Sequence, residues 1–190
     1  HALSMVEDGA DIIDVGGEST RPGSTPVSPD EEIGRVVPVI AEIAKRTDRP
    51  ISIDTYKART AQAALAAGAS LVNDISGMSF DPAMEKLVSD RRCPVIIMHI
   101  KGTPREMQQN PTYEDVVRDI IEYLKERIAS AVGAGVHKGA IIVDPGIGFG
   151  KTVDHNLDIL RRLKEFEVLG CPILVGVSRK STIGAVLGGL

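Results

Sequence analysis

Short apolar runs recur along the chain and alternate with stretches whose apolar residues return every three or four positions. The runs centre on Ile12 to Val15, Ile51 to Thr55, Leu71 to Ile75, Pro94 to His99, Ala140 to Val143 and Ile173 to Val177, and each has the length of a strand. Each is too uniformly apolar to show alternation, as expected of strands buried on both faces of a parallel sheet. Between them, Ser28 followed by Pro29 predicts the start of a helix that Ile33, Val36, Val37 and Ile40 carry to Lys45, with a kink at Pro38. Further helices are predicted over Ala58 to Ala67, stopped by Gly68, and over Pro82 to Ser89. Another, capped by Thr112, carries Val116, Val117, Ile120, Ile121, Leu124 and Ile128 on one face, and Leu157, Leu160 and Leu163 mark a last one.

Six strand–helix units fit either an open doubly wound sheet or a (β/α)8 barrel. Polar residues at the strand ends favour the TIM barrel: Asp14, Asp54, Asn73 with Asp74, His99, Asp144, and Arg179 with Lys180 all stand where strands give way to loops. Six units are two short of closure, and both chain ends fall within helical patterns, one before Gly9 and one towards Leu190. The expectation is a single barrel domain over residues 1–190, truncated at both ends, with the first and last strands missing. Such a piece is expected to be poorly soluble or inactive alone.

Composition narrows the function. The 190 residues carry a net charge of −4, with no stripe of Lys or Arg, which argues against nucleic acid or an anionic membrane as partner. No apolar run reaches membrane-spanning length, and the expected location is the cytoplasm. Cys93 and Cys171 each open an apolar run before a proline, a pattern of small core residues rather than of a disulfide.

Asp54, Asn73 and Asp144 are short hydrogen-bonding residues at the ends of three strands, which a barrel gathers on one face. An ionised Asp accepts two parallel hydrogen bonds, so its natural partner is a guanidine-like edge such as that of a pterin or guanine. Alone, each of these residues could equally bond loop amides. Arg21, Arg179, Lys180 and Lys151 lie on the same loops and offer positive charge to a phosphate or carboxylate. No second histidine or carboxylate stands at ligand spacing from His99, so no protein-built metal site is expected, and no nucleophile–base arrangement suggests covalent catalysis. Pro145 to Thr152 nearly spells a phosphate-binding P-loop but has Pro145 where that motif needs glycine.

These motifs resemble those of the dihydropteroate synthases of the pterin-binding family. Asp14-Val-Gly-Gly-Glu-Ser-Thr-Arg-Pro-Gly23, Ser52-Ile-Asp-Thr55, Asn73-Asp-Ile75, Met98-His99, Asp144 to Lys151 and Ser178-Arg-Lys-Ser181 follow the family's order and spacing. The resemblance implies a transferase of folate biosynthesis that joins a dihydropterin pyrophosphate to p-aminobenzoate. Its implied pterin residues are Asp54, Asn73, Ile75, Met98, Asp144, Gly176 and Lys180. Thr20, Arg21 and Pro22 would form a closing loop, with Phe149, Lys180 and Ser181 beside the p-aminobenzoate; Arg21 and Lys180 would serve catalysis. The resemblance also implies Mg²⁺ bound with the pyrophosphate, its protein ligand lying outside this chain, sulfonamide inhibitors in the p-aminobenzoate pocket, and a homodimer. Alternatives are a non-catalytic pterin-binding relative and a methyltetrahydrofolate-dependent methyltransferase, which needs neither the Glu18 to Gly23 loop nor the Ser178 to Lys180 end.

Overall fold

The computed structural model describes residues 1–188. Five strands, β1 (Ile13–Gly16), β2 (Ile51–Asp54), β3 (Leu71–Asp74), β4 (Val95–Met98) and β5 (Ile141–Asp144), lie side by side in chain order, every neighbouring pair parallel. They alternate with α1 (Ala2–Glu7), α2 (Pro29–Ala44), α3 (Ala58–Ala67), α4 (Met84–Arg91), α5 (Val116–Gly133), α6 (Val153–Arg161) and α7 (Ser181–Val186). Any helical continuation from α7 to Leu190 lies outside the described residues.

The sixth apolar run joins the sheet at one point. Ile173 bridges to Val143, with the Val143 N–H donating to Pro172 O (2.9 Å) and the Leu174 N–H to Val143 O (2.8 Å). The next bond of a parallel ladder would need an N–H from residue 145, which is proline, so the pairing ends there.

The alternation that the sequence hides is plain in the fold. Ile13, Ile51, Ile53, Val72, Val95, Ile97, Ile141 and Val143 share one sheet face and form the main core with the helices, including Val36 and Ile40 of α2 and Val117, Ile120 and Leu124 of α5. Each such side chain, fully buried, contributes roughly 1.5–3 kcal/mol. The opposite face carries Asp14, Asp54, Asn73, Met98 and Asp144. That face is apolar in places for its own reason, because Ile96 and Ile142 occupy it too. Asp74, next to Asn73, points to the helix side and is fully buried, its carboxylate accepting from the Ser76 N–H and hydroxyl (both 2.7 Å). It therefore stands apart from the other strand-end residues.

The helix starts follow local chemistry. Ser28 caps α2 through its hydroxyl on the Glu31 N–H (3.2 Å), with Pro29 at the first position, and the helix runs on through Pro38 to Ala44. The expected Thr112 cap of α5 is corrected: Asp115 caps it, accepting from the N–H groups of Val117 and Arg118 (both 3.0 Å). Arg162 grips the same carboxylate at 3.0 and 3.2 Å and holds it below its ordinary range, so an ionised acceptor outcompetes a hydroxyl. Cys93 and Cys171 are free and buried.

Candidate functional site

The strand ends form a floor in two steps. In the lower step Gly16, Asp54 and Asn73 stand in register on β1, β2 and β3. Gly16 has no side chain to obstruct Asp54, whose Oδ2 lies 3.3 Å from where a Cβ would be. The Asn73 amide donates to Asp14 Oδ2 at 3.2 Å. In the upper step Met98 faces Asp144 across β4 and β5. Ile75, Met98, Ile100 and Met107 form a small separate apolar cluster above the sheet, with Tyr56 and Phe149 packed against it.

The floor is acidic and poorly neutralised. Burial pushes the Asp54 carboxyl up to about 8, and the negative charges of Asp14, Asp74, Glu32 and Glu18 add to the shift. Burial likewise pushes Asp144 up to about 6, opposed by the Gly146 N–H on its Oδ1 (2.7 Å) and by the charges of Lys151 and Lys180. Carboxyls strained in this way gain most from a ligand that brings its own N–H donors.

Beside the floor, a cleft of about 870 Å³ opens between loops. All six residues expected to form the loop and arylamine pocket line it: Thr20, Arg21, Pro22, Phe149, Lys180 and Ser181. Lys180 Nζ sits 4.3 Å from the centre of the Phe149 ring, a cation–π contact. Burial lowers the Lys180 ammonium while Asp144 and Asp54 raise it, so this one side chain belongs electrostatically to both floor and cleft. Arg179 reaches that position with a left-handed φ of 57°, turning the chain into α7. Gly176 stands apart, exposed, with nothing within 4 Å of where a Cβ would be.

Lys151 corrects the reading of it as a cation free for ligand. Its Nζ donates inward to His99 Nδ1 (2.9 Å), Phe149 O (2.9 Å) and His99 O (3.4 Å). Burial pushes the ammonium down to about 7 despite Asp144, and burial with the Lys151 charge pushes His99 down to about 2. Three N–H groups meet three acceptors, so Lys151 ties the loop after β4 to the loop after β5. Glycine is required where these loops touch. A Cβ on Gly146 would fall on the His99 carbonyl oxygen, and one on Gly150 would lie 2.8 Å from Lys101 O; both residues have positive φ, 71° and 67°.

Several cleft residues escaped the sequence reading. Gln108 donates to Gly148 O (2.7 Å), while Asn156 accepts from the Gly148 N–H and donates to Thr182 Oγ1 (both 2.9 Å). Asn156 left a signal: it is a polar residue three positions before Ile159, on the buried face of α6. Gln108 left none, since the stretch from Lys101 to Pro111 has no period. Among the described residues, no group of three or more His, Cys, Asp or Glu stands where it could hold a metal, and no helix is long and apolar enough to cross a membrane.

The family described as pterin binding enzymes matches residues 1–189. A dihydropteroate synthase of Synechocystis is 46% identical over 98% of this chain and 64% of its own length. The chain superposes on a Yersinia pestis dihydropteroate synthase solved with a sulfonamide drug at a TM-score of 0.96, with 42% identity over 99% of this chain and 68% of that one. Against a Xanthomonas albilineans dihydropteroate synthase with 4-aminobenzoic acid the TM-score is 0.93, with 43% identity over 98% and 66%. The chain thus spans about two thirds of the length of these relatives. By sequence and by fold it belongs to the pterin-binding enzyme family, in which the relatives just named are dihydropteroate synthases.

Proposed function

We propose that the chain carries the pterin floor and the arylamine cleft of a dihydropteroate synthase, within a single (β/α)8 domain. The substrates are 6-hydroxymethyl-7,8-dihydropterin pyrophosphate and p-aminobenzoate; the products are 7,8-dihydropteroate and pyrophosphate. The observation that carries the reading is Lys180, which lines the cleft with its Nζ 4.3 Å from the centre of the Phe149 ring while feeling the charges of Asp144 and Asp54 on the floor. It stands at the junction where the two substrates would have to meet.

In this reading Asp54, Asn73 and Asp144 hold the pterin edge, with Ile75 and Met98 against its faces and Gly176 at its margin. The pterin's exocyclic carbon–oxygen bond breaks, the electron pair leaves on pyrophosphate, and the arylamine nitrogen attacks the resulting cation and then gives up a proton. No protein nucleophile is needed; positioning and charge carry the step. Arg21 and Lys180 supply this chain's positive charge to the departing pyrophosphate, and Thr20, Pro22, Phe149 and Ser181 enclose the arylamine. A sulfonamide, as a stand-in for the arylamine, would occupy the same cleft. The proposal includes Mg²⁺ accompanying the pyrophosphate, but the described residues offer it no ligand set, and no step is routed through it. A cytoplasmic homodimer completes the reading.

The test is direct. In a full-length protein carrying this chain, binding of the dihydropterin pyrophosphate by calorimetry, followed by pyrophosphate release on adding p-aminobenzoate, is the expected result. Pterin binding without release would favour a non-catalytic relative, and no pterin binding would overturn the reading.

A further inference from the structure

Between the floor and the Thr20 to Pro22 loop stands a side chain that the proposed reaction does not use. Tyr56, two residues past β2, packs its ring against the cluster of Ile75, Met98, Ile100 and Met107, and edge-on against Phe80 with centroids 5.5 Å apart. Its hydroxyl donates to Glu18 Oε1 at 2.6 Å. Ring and hydroxyl thus touch two different parts of the site.

Glu18 is the anchor of the loop. Its Oε2 accepts from Lys57 Nζ (2.6 Å) and from the Val27 N–H (2.7 Å), nine residues further on, so one carboxylate closes the loop at both ends. Lys57 reinforces the closure by donating also to Val27 O (2.8 Å) and to Glu32 Oε2 (2.7 Å). These side chains are 14% exposed for Lys57, 8% for Glu18 and 1% for Glu32, so the clasp is sheltered from water and from salt. Burial works to raise the Glu18 carboxyl, but the bonds from Lys57, Tyr56 and Val27 overcome it and keep the group ionised. The loop between is different. Ser19, Arg21, Pro22 and Gly23 are exposed, held by the turn bonds Ser24 N–H to Arg21 O (3.1 Å) and Arg21 N–H to Ser19 Oγ (3.4 Å) and by the Ser24 hydroxyl on Ser19 O. A fixed base with a weakly held tip moves as its base is set.

We infer that Tyr56 is a positioning residue, a strut through which occupancy of the pterin wall at Ile75 and Met98 sets the Glu18 clasp and so the pose of Thr20 and Arg21 over the cleft. The inference rests on the pterin reading above. A ligand pressing on the apolar cluster favours one ring position of Tyr56, and the hydroxyl carries that preference to Glu18; the shift is limited to the differential free energy of that contact.

Tyr56→Phe keeps the ring on the cluster and removes only the oxygen. In the full chain, hydrogen exchange over residues 17–27 is measured with and without 6-hydroxymethyl-7,8-dihydropterin pyrophosphate, beside its Kd and the kinetics for p-aminobenzoate. The native protein is expected to gain protection in this segment on pterin binding. Tyr56→Phe is expected to bind pterin within about twofold of native, to lose most of that protection, and to raise KM for p-aminobenzoate about tenfold at nearly unchanged kcat, the size set by one hydrogen bond to a charged group. Glu18→Gln, which keeps an acceptor for Tyr56 but weakens the grip of Lys57, is expected to reproduce the loss of protection. Retained protection and KM in Tyr56→Phe would overturn the strut. So would a parallel fall of pterin affinity, kcat and melting temperature, which marks a merely structural tyrosine. Absence of pterin binding by the native protein would instead bring down the functional reading and the strut with it.

Discussion

The acidic floor and the basic cleft lie side by side yet are held by different means. Asp54, Asn73 and Asp144 are fixed by the parallel ladder, whose backbone bonds set their spacing before any side chain packs. The cleft is assembled from loops stitched one to another: Gln108 to Gly148, Asn156 to Gly148 and Thr182, Tyr113 to Gly150 O (2.7 Å), and Lys151 to His99 and Phe149. On its open side, the Thr20 to Pro22 loop has little beyond its own turn bonds and the clasp at its base. Rigidity thus falls from floor to back wall to closing loop. A rigid floor suits one flat ligand read by its hydrogen-bonding edge, whereas a graded cleft can admit a second molecule and close after it.

If this contrast is right, substitutions on the two sides separate two substrates. The largest effect is expected at Asp144→Asn, which replaces one acceptor of a paired edge by a donor. Pterin affinity should fall about 100-fold by calorimetry, roughly 2.7 kcal/mol, and a variant with native pterin affinity would remove Asp144 from the floor. Next, Lys180→Met should lower kcat/KM for p-aminobenzoate about tenfold, since it removes the charge and the cation–π contact while keeping the stem. An equal loss in pterin affinity would place Lys180 on the floor alone. Phe149→Leu should raise KM for p-aminobenzoate about threefold with pterin Kd unmoved, the scale of one lost aromatic contact.

A further expected effect is on stability rather than on either substrate, and follows from the Asp54 carboxyl. Its folded value of about 8 lies above its ordinary 3.8, so its contribution is fully present below pH about 4 and is lost as pH rises towards 8. Asp54→Asn lacks that loss. Without ligand, the melting temperature of the variant relative to native should therefore climb between pH 4 and pH 8; a flat difference would mean the carboxyl is not desolvated as described.

The same contrast explains what could be read from sequence. Strand-end residues were legible because strands of similar length in a repeating unit put their last residues on one rim, whatever the details of packing. The cleft residues of the glycine-rich and Ser-Arg-Lys-Ser stretches were legible through their motifs. Alternation on the sheet was not, because Ile96 and Ile142 on the inner face hide the period that Asp54 and Asn73 would otherwise reveal. The inward turn of Lys151 was not legible either. It depends on His99, 52 positions away, lying beneath it with a free ring nitrogen and a free carbonyl. Tyr56 was passed over for a similar reason: one residue beyond the Ser52 to Thr55 motif, it gains its meaning only when Glu18 is brought to its hydroxyl.

The glycines at 146 and 150 bear on how the protein can vary through time. Any replacement of either glycine adds a side chain where a neighbouring loop's backbone already lies, and in a left-handed conformation besides, so the back of the cleft is closed to gradual modification. Gly23, in the loop opposite, shares the left-handed backbone (φ 78°) but has nothing within 4 Å of its would-be Cβ, so a side chain there meets strain without a clash. An inherited change that reshapes this cleft, whether to refuse an inhibitor or to welcome another arylamine, is thus expected to arise on the side of residues 19–24, where the lineage has room to experiment.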